Sequence, residues 1–210
     1  MHRAYLFDLD GTLVDSAPDI ADALNHTLAT LGRPPEDEVR VRGWIGDGAR
    51  ALLHKALRDE ALVAAGWPTF EAAYWDGCGR RSRVHDGVPE ALAGLRARGA
   101  RLAVLTNKER RFADKLLAEL GLLPAFDALV AGDTLPVKKP HPGVVHHALE
   151  VLGAVPHEAL LVGDSVTDVR AARAAGIAVH LVRHGYPGGT ITGPDAPDAW
   201  LDTFVGWPGA

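Results

Sequence analysis

The stretch YLFDLDGTLVDS at residues 5–16 sets two carboxylates, Asp8 and Asp10, at the end of an apolar run. In a strand, residues two apart point the same way, so both acids face one spot. At about 4 Å two such charges repel by roughly 4 kcal/mol at an effective dielectric near 20. An Asp-Gly turn needs only one of them. Three more polar clusters follow apolar runs further along the chain. Thr106, Asn107 and Lys108 close RLAVLTNK; Lys138 and Lys139 open KKPHP; Asp164, Ser165 and Asp168 lie in GDSVTD. Crowded carboxylates offering only oxygen call for a hard cation, and one shared with a phosphate suits Mg²⁺. Hydroxyl, amide and ammonium groups suit the oxygens of a phosphoryl group. A carboxylate can itself attack phosphorus and form an acyl phosphate. Together these residue types predict Mg²⁺-assisted phosphoryl transfer. Plainer readings stand beside this one. Asp168, three after Ser165, has the place of the acid in a helix capping box; Thr106 and Asn107 could form a strand-end turn, and Lys139 a solvated loop lysine.

Those clusters need elements that bring them together. From residue 86 onward, the apolar runs RLAVLTN, FDALVAGD, ALLVGDS and IAVHLV alternate with helical patterns. VPEALAGLRARG places Val88, Leu92 and Leu95 on one face and closes at Gly99. ERRFADKLLAELG does the same with Phe112, Leu116 and Leu120, and GVVHHALEVLG and VTDVRAARAAG supply two more helices. Alternating strands and helices predict an α/β fold, a parallel sheet covered on both faces. In such sheets ligands lie beyond the carboxyl ends of the strands, so the four polar clusters converge on one crevice. The Gly/Pro-rich stretch 185–197 reads as a surface loop before a short closing element at 200–204.

The span from the first strand to the second is far longer than the roughly 30 residues of a β–α–β unit. Its excess, residues 16–84, is helical in pattern. SAPDIADALNHTLATLG places Ile20, Leu24, Leu28 and Leu31 on one face, with Ser16 and Asp19 as a capping pair and Pro18 near the start. GARALLHKALRDEAL and TFEAAYWDGCGRR predict two further helices. The domain reading is therefore a core of residues 1–15 and 85–210, with a helical cap or lid inserted at 16–84.

Composition narrows the partners. The chain has 210 residues, 47% hydrophobic and 23% charged, with a formal net charge of −5. That balance offers no polyanion-binding surface, so nucleic acid is not an expected partner. No run of 18 apolar residues would span a membrane, and Asp8 and Asp10 interrupt the start too early for a signal-peptide apolar region. The single cysteine, Cys78, has no partner for a disulfide or a zinc set. A cytoplasmic protein, monomeric or homodimeric, is expected.

DLDGTLVDS, LTN, KKPHP and GDSVTD, in this order with an early helical insertion, resemble the haloacid dehalogenase superfamily. Within it, GWIGDGARALL resembles the cap segment of phosphoglycolate phosphatases. The resemblance implies a three-layer Rossmann-like core with five parallel strands ordered 5-4-1-2-3. Asp8 matches the nucleophile that becomes aspartyl-phosphate, and Asp10 the general acid and base whose backbone carbonyl also reaches Mg²⁺. Thr106, Asn107 and Lys139 match the phosphate-binding set. Asp164 matches the main acidic metal ligand and Asp168 a second acidic position. The implied activity is Mg²⁺-dependent hydrolysis of a small phosphorylated metabolite such as 2-phosphoglycolate. Gly46 and Gly48 let the cap backbone approach a ligand, and Arg50, in the first turn of the next helix, is expected to pair with its carboxylate. Other readings are a β-phosphoglucomutase-like enzyme, a sugar or nucleotide phosphatase, and a non-catalytic binding module on the same fold. A phosphonate hydrolase would need a cap lysine, and Lys55 is the sole lysine there.

Overall fold

The computed structural model describes residues 2–207. The chain runs β1 (Ala4–Phe7), β2 (Val14–Asp15), α1 (Ala17–Thr30), α2 (Glu38–Arg42), α3 (Ala49–Leu57), α4 (Glu60–Gly77), β3 (Arg83–Val84) and α5 (Val88–Ala97). It continues through β4 (Arg101–Leu105), α6 (Arg110–Glu119), β5 (Ala128–Val130), α7 (Gly143–Leu152), β6 (Ala159–Gly163), α8 (Val166–Ala175), β7 (Ala178–Val182) and β8 (Ala199–Leu201).

Six of these strands form one parallel sheet in the order β5-β4-β1-β6-β7-β8. The side-chain alternation of a strand builds its two cores. Tyr5 and Phe7 of β1 face the layer of α5 and α6, with Leu92, Leu95 and Phe112. Ala4 and Leu6 face α7 and α8, with Val145, Leu149 and Val169. The expected five-stranded order is present from β7 to β5, but a sixth strand extends it. β8 pairs with β7 because Asp198, just before it, accepts Val179 N at 2.8 Å and binds Arg173 at 2.8 and 3.0 Å. Those bonds dock the closing segment along the sheet edge. Phe7 lies opposite Val162, so β1 and β6 end side by side.

Between the antiparallel pair β2 and β3, helices α1 to α4 pack over the carboxyl end of the sheet. The helix boundaries differ from the sequence reading. GARALLHKALRDEAL is two helices, since Arg58 turns left-handed (φ 54°) and Asp59 then caps α4 by accepting Ala61 N and Leu62 N. α4 continues without a break through Pro68, absorbing the segment read as a separate helix. The short α2, β2 and β3 carry too few residues to show a period.

The expected capping pair of α1 has other employment. Ser16 Oγ donates to Asp10 Oδ1 at 2.5 Å and makes no cap bond. Asp19, buried, accepts from Gly79 N at 2.9 Å, Arg81 N at 2.8 Å, and Ser82 N and Oγ at 3.0 and 2.5 Å. Four donors satisfy a buried carboxylate better than one helix terminus. They tie α1 to the segment that returns to the core.

Candidate active site

Asp8 is the first residue past β1, and its own N–H still bonds Val162 O at 2.9 Å. Burial pushes its carboxyl up to about 6, against the pull of Lys139. Lys139 Nζ lies 2.9 Å from Asp8 Oδ1 and 2.7 Å from Asp168 Oδ1. Burial works against that ammonium, but Asp168 and Asp8 outweigh it and hold it above the usual lysine range. Lys138, the neighbouring candidate, is exposed.

Asp164 follows β6. Thr12 Oγ1 donates to its Oδ1 at 3.0 Å, and Tyr186 N to its Oδ2 at 2.5 Å. Burial raises its carboxyl well above the usual range, and Asp8 and Asp168 add to this. Gly11 is required beside it. Its φ is +86°, and a Cβ there would lie 2.3 Å from Asp164 Oδ2. Asp168 shares the cluster, yet both its oxygens are committed: Oδ1 to Lys139, Oδ2 to Ser165 Oγ at 2.6 Å and Ser165 N at 3.1 Å. The capping box at the start of α8 is thus real, and its acid also anchors Lys139.

Carboxylate oxygens of Asp8, Asp164 and Asp168 lie within 4.8 Å of one another, all buried. Three acids at that spacing with oxygen-only donors fit a hard divalent cation. Burial is what chiefly raises the Asp8 and Asp164 carboxyls, with the neighbouring acids adding to it, and a bound cation would offset both causes. Asp168 carries the Lys139 ammonium on one oxygen and the Ser165 cap on the other, whereas Asp164 meets one neutral donor on each oxygen, Thr12 Oγ1 and Tyr186 N, and Asp8 meets Lys139 through Oδ1, so lone pairs for a cation remain on Asp8 and Asp164.

Asp10 turns to a different partner. Lys108 Nζ lies 2.9 Å from both of its oxygens. Thr106 and Asn107 precede that lysine at the end of β4. Thr106 Oγ1 accepts Lys108 N at 3.2 Å. Asn107 works as a clamp: its amide donates to Gly46 O at 2.9 Å and Lys139 O at 3.0 Å, and its carbonyl oxygen accepts Lys139 N at 2.9 Å. One side chain therefore joins the cap loop to the lysine loop. Gly48 (φ +92°) closes the same seam, where a Cβ would meet Asn107 O at 3.0 Å and Lys138 Nζ at 3.1 Å.

The crevice above Asp8 and Asp10 is lined by Gly46, Gly48, Thr106, Asn107, Lys108 and Glu109, and by apolar cap residues. The structure does not bring Arg50 there. Its side chain is exposed, and its guanidinium stacks 4.3 Å from the Trp67 ring centroid. Rotation of α3 about its axis decides which way its first turn faces, and α4 supplies an aromatic surface on the outside. Lys55 is likewise turned away, held by Asp47 at 2.7 Å and Trp44 O at 3.1 Å.

Two residues carry more in the structure than the sequence assigned them. Lys108 stood in the strand-end cluster, as its third polar residue, with no role of its own. Tyr186 had none, because HGYPGG reads as loop; in the structure it is buried, bonding Asp164 through its N–H and Asp15 and Ala17 N through its hydroxyl.

A parallel sheet with an acid-and-lysine crevice at its carboxyl ends, roofed by inserted helices, defines a class of capped, Rossmann-like α/β enzymes. A profile described as haloacid dehalogenase-like hydrolase matches residues 2–176, and the chain belongs to that family. Relatives named phosphoglycolate phosphatase include one from Nitrosococcus oceani, 40% identical over 95% of this chain and 92% of that protein. A plasmid-borne one from Cupriavidus necator is 44% identical over 98% of this chain and 91% of that protein. A crystal structure described as a predicted phosphoglycolate phosphatase from Haemophilus somnus superposes with a TM-score of 0.90 at 33% identity, covering 98% of this chain and 96% of that one.

Proposed function

We propose that this chain is a Mg²⁺-dependent phosphatase that hydrolyses 2-phosphoglycolate to glycolate and phosphate through an aspartyl-phosphate on Asp8. The observation that carries the reading is Asp8 itself, buried at the crevice floor with Lys139 2.9 Å from one oxygen. That lysine orients the carboxylate and offsets charge on an incoming phosphoryl group. An Asp8 oxygen attacks phosphorus, the ester P–O bond breaks, and Asp10, which takes up a proton from solvent when Lys108 leaves it, gives that proton to the departing oxygen. Asp10, now a carboxylate, takes a proton from water as the water oxygen attacks phosphorus, and the bond to Asp8 breaks. Thr106 and the Asn107 backbone face the phosphoryl oxygens, while Asn107's side chain holds the Lys139 loop. Asp8, Asp164 and the Asp10 backbone carbonyl would hold Mg²⁺, which supplies positive charge to the phosphoryl group when bound. The substrate is read from the relatives' names, supported by a crevice small enough to be roofed by Gly46 and Gly48. A cytoplasmic setting, consistent with the unpaired buried Cys78, belongs to the same reading.

The test is phosphate release from a panel of small phosphate esters with Mg²⁺, comparing the wild-type protein with Asp8→Asn. We expect 2-phosphoglycolate to be the best substrate and Asp8→Asn to lose at least ~10³-fold in kcat. Fluoroberyllate should bind the wild-type protein but not the variant. Turnover by purified Asp8→Asn near the wild-type rate rules out covalent catalysis, and no activity on any ester would favour a binding module.

A further inference from the structure

The leaving group of any ester bound at Asp8 must lie in the upper crevice, because Asp8 and Lys139 set the phosphoryl position at its floor. There the cap contributes Ile20, Ile45, Leu52 and Phe70, and no charge. Among the described lining residues Lys108 is the one cation. Its ammonium is desolvated, with the side chain 5% exposed, and lies 4.8 Å from the Tyr74 ring centroid. Tyr74 is itself buried, so this aromatic floor holds the ammonium at the crevice wall. Among the described residues the Lys108 ammonium hydrogen-bonds Asp10 alone, and Asp10 has a second donor in Ser16. The pair can therefore open without stranding Asp10. Glu109 lines the same space, and its Oε2 is buried with no hydrogen-bond partner.

Resting on the phosphatase reading above, we propose that Lys108 is the specificity-determining residue of this site: its ammonium exchanges Asp10 for the carboxylate of a short phosphorylated acid. One cation against an apolar wall matches one negative charge on the leaving group. A second phosphate is disfavoured, because its two charges would face a single lysine and the unpaired Glu109 oxygen. An uncharged leaving group gains nothing from Lys108 and leaves it on Asp10. Selection for an acid thus comes from the core strand β4, not from the cap.

Binding separates this from catalysis. Calorimetry on Asp8→Asn with Mg²⁺ would compare 2-phosphoglycolate with ethyl phosphate, which replaces the carboxylate by a methyl group. We expect the acid to bind ten- to a hundredfold more tightly, and Lys108→Met to reduce that ratio to within threefold of unity. Lys108→Gln keeps a polar side chain and should give the same collapse, guarding against a fold defect in the Met variant. Lys138→Met, at the seam beside Gly48, should keep the full ratio. A preference that survives both Lys108 substitutions overturns the inference and leaves the substrate reading standing. No preference in Asp8→Asn with Lys108 intact overturns both.

Discussion

On the core side of the crevice Asp8, Asp10, Lys108, Lys139 and Asp168 hold one another at 2.7 to 2.9 Å; on the cap side Ile20, Ile45, Leu52 and Phe70 present hydrocarbon. The core wall is preorganised charge, each ion oriented before any ligand arrives, as stabilising a phosphoryl group requires. The cap wall excludes water, which strengthens every ionic contact beneath it. The cap's own charges are spent elsewhere. Arg50 stacks on Trp67, Lys55 binds Asp47, and Arg42 binds Asp15 bidentately at 2.8 and 3.0 Å. On the reading proposed above, chemistry and charge recognition share one wall, and the cap shapes the space.

The largest break in that contrast is Lys139→Met. It strands Asp8 and Asp168 as buried, unpaired acids, which should cost about 3–5 kcal/mol in denaturant unfolding. Activity should fall by about 10²–10³ through loss of phosphoryl stabilisation. A stable, active variant would show that the core ions do not depend on one another.

Next comes the metal. Chelation should abolish activity and added Mg²⁺ restore it, while raising the thermal midpoint by relieving repulsion among Asp8, Asp164 and Asp168. Asp164→Ala should weaken Mg²⁺ activation by about 10–100-fold. Asp168→Ala should act mainly on stability, by about 1–3 kcal/mol, because its oxygens serve Lys139 and the α8 cap. Equal Mg²⁺ activation in wild type and Asp164→Ala would reassign the ligand.

A smaller effect sits at the joint between the walls. His85 follows β3, its ring centroid 3.8 Å from that of His184, with Asp15, Asp86 and Arg42 also near. Burial, then His184, lowers it to about 4. The unfolded chain takes up a proton below about 6.5 and the folded chain does not until about 4, so stability is lost as pH falls through that window. Allowing for partial exposure, His85→Gln should recover about 1 kcal/mol at pH 4.5 and nothing at pH 8. Asp8, raised by burial, titrates with the opposite sign, but it is common to both proteins and cancels in the difference. Parallel unfolding curves at both pH values would remove His85 from the joint.

Smallest of all is Arg50→Ala. Losing the contact to Trp67 should cost about 0.5–1 kcal/mol and leave the ratio of activity on 2-phosphoglycolate to that on ethyl phosphate within twofold of wild type. A tenfold fall in that ratio would return charge recognition to the cap.

What the sequence determined by itself is whatever depends on local rules. Asp8 and Asp10 are legible because strand side chains alternate, and the clusters at Thr106 and Asp164 because apolar runs end there. The alternating periods of 86–182 predict the layered sheet, since a buried strand and an amphipathic helix each declare themselves within about ten residues. Partners far apart in sequence are another matter. Lys108 finds Asp10 across 98 positions, Asp19 finds Ser82 across 63, and Tyr186 finds Asp15 across 171. A buried charge takes whichever donors the packing leaves within reach. That is why Ser16 and Asp19, a capping pair on paper, became an Asp10 ligand and a clasp. Arg50 has the same limit: its place in the chain is local, but the direction it faces is set by how α3 rolls against α4 and Trp67. Only the tertiary structure decided which of two lysines, Lys108 or Lys139, stands beside which of two aspartates, because that choice is made where strands β1 and β4 end together.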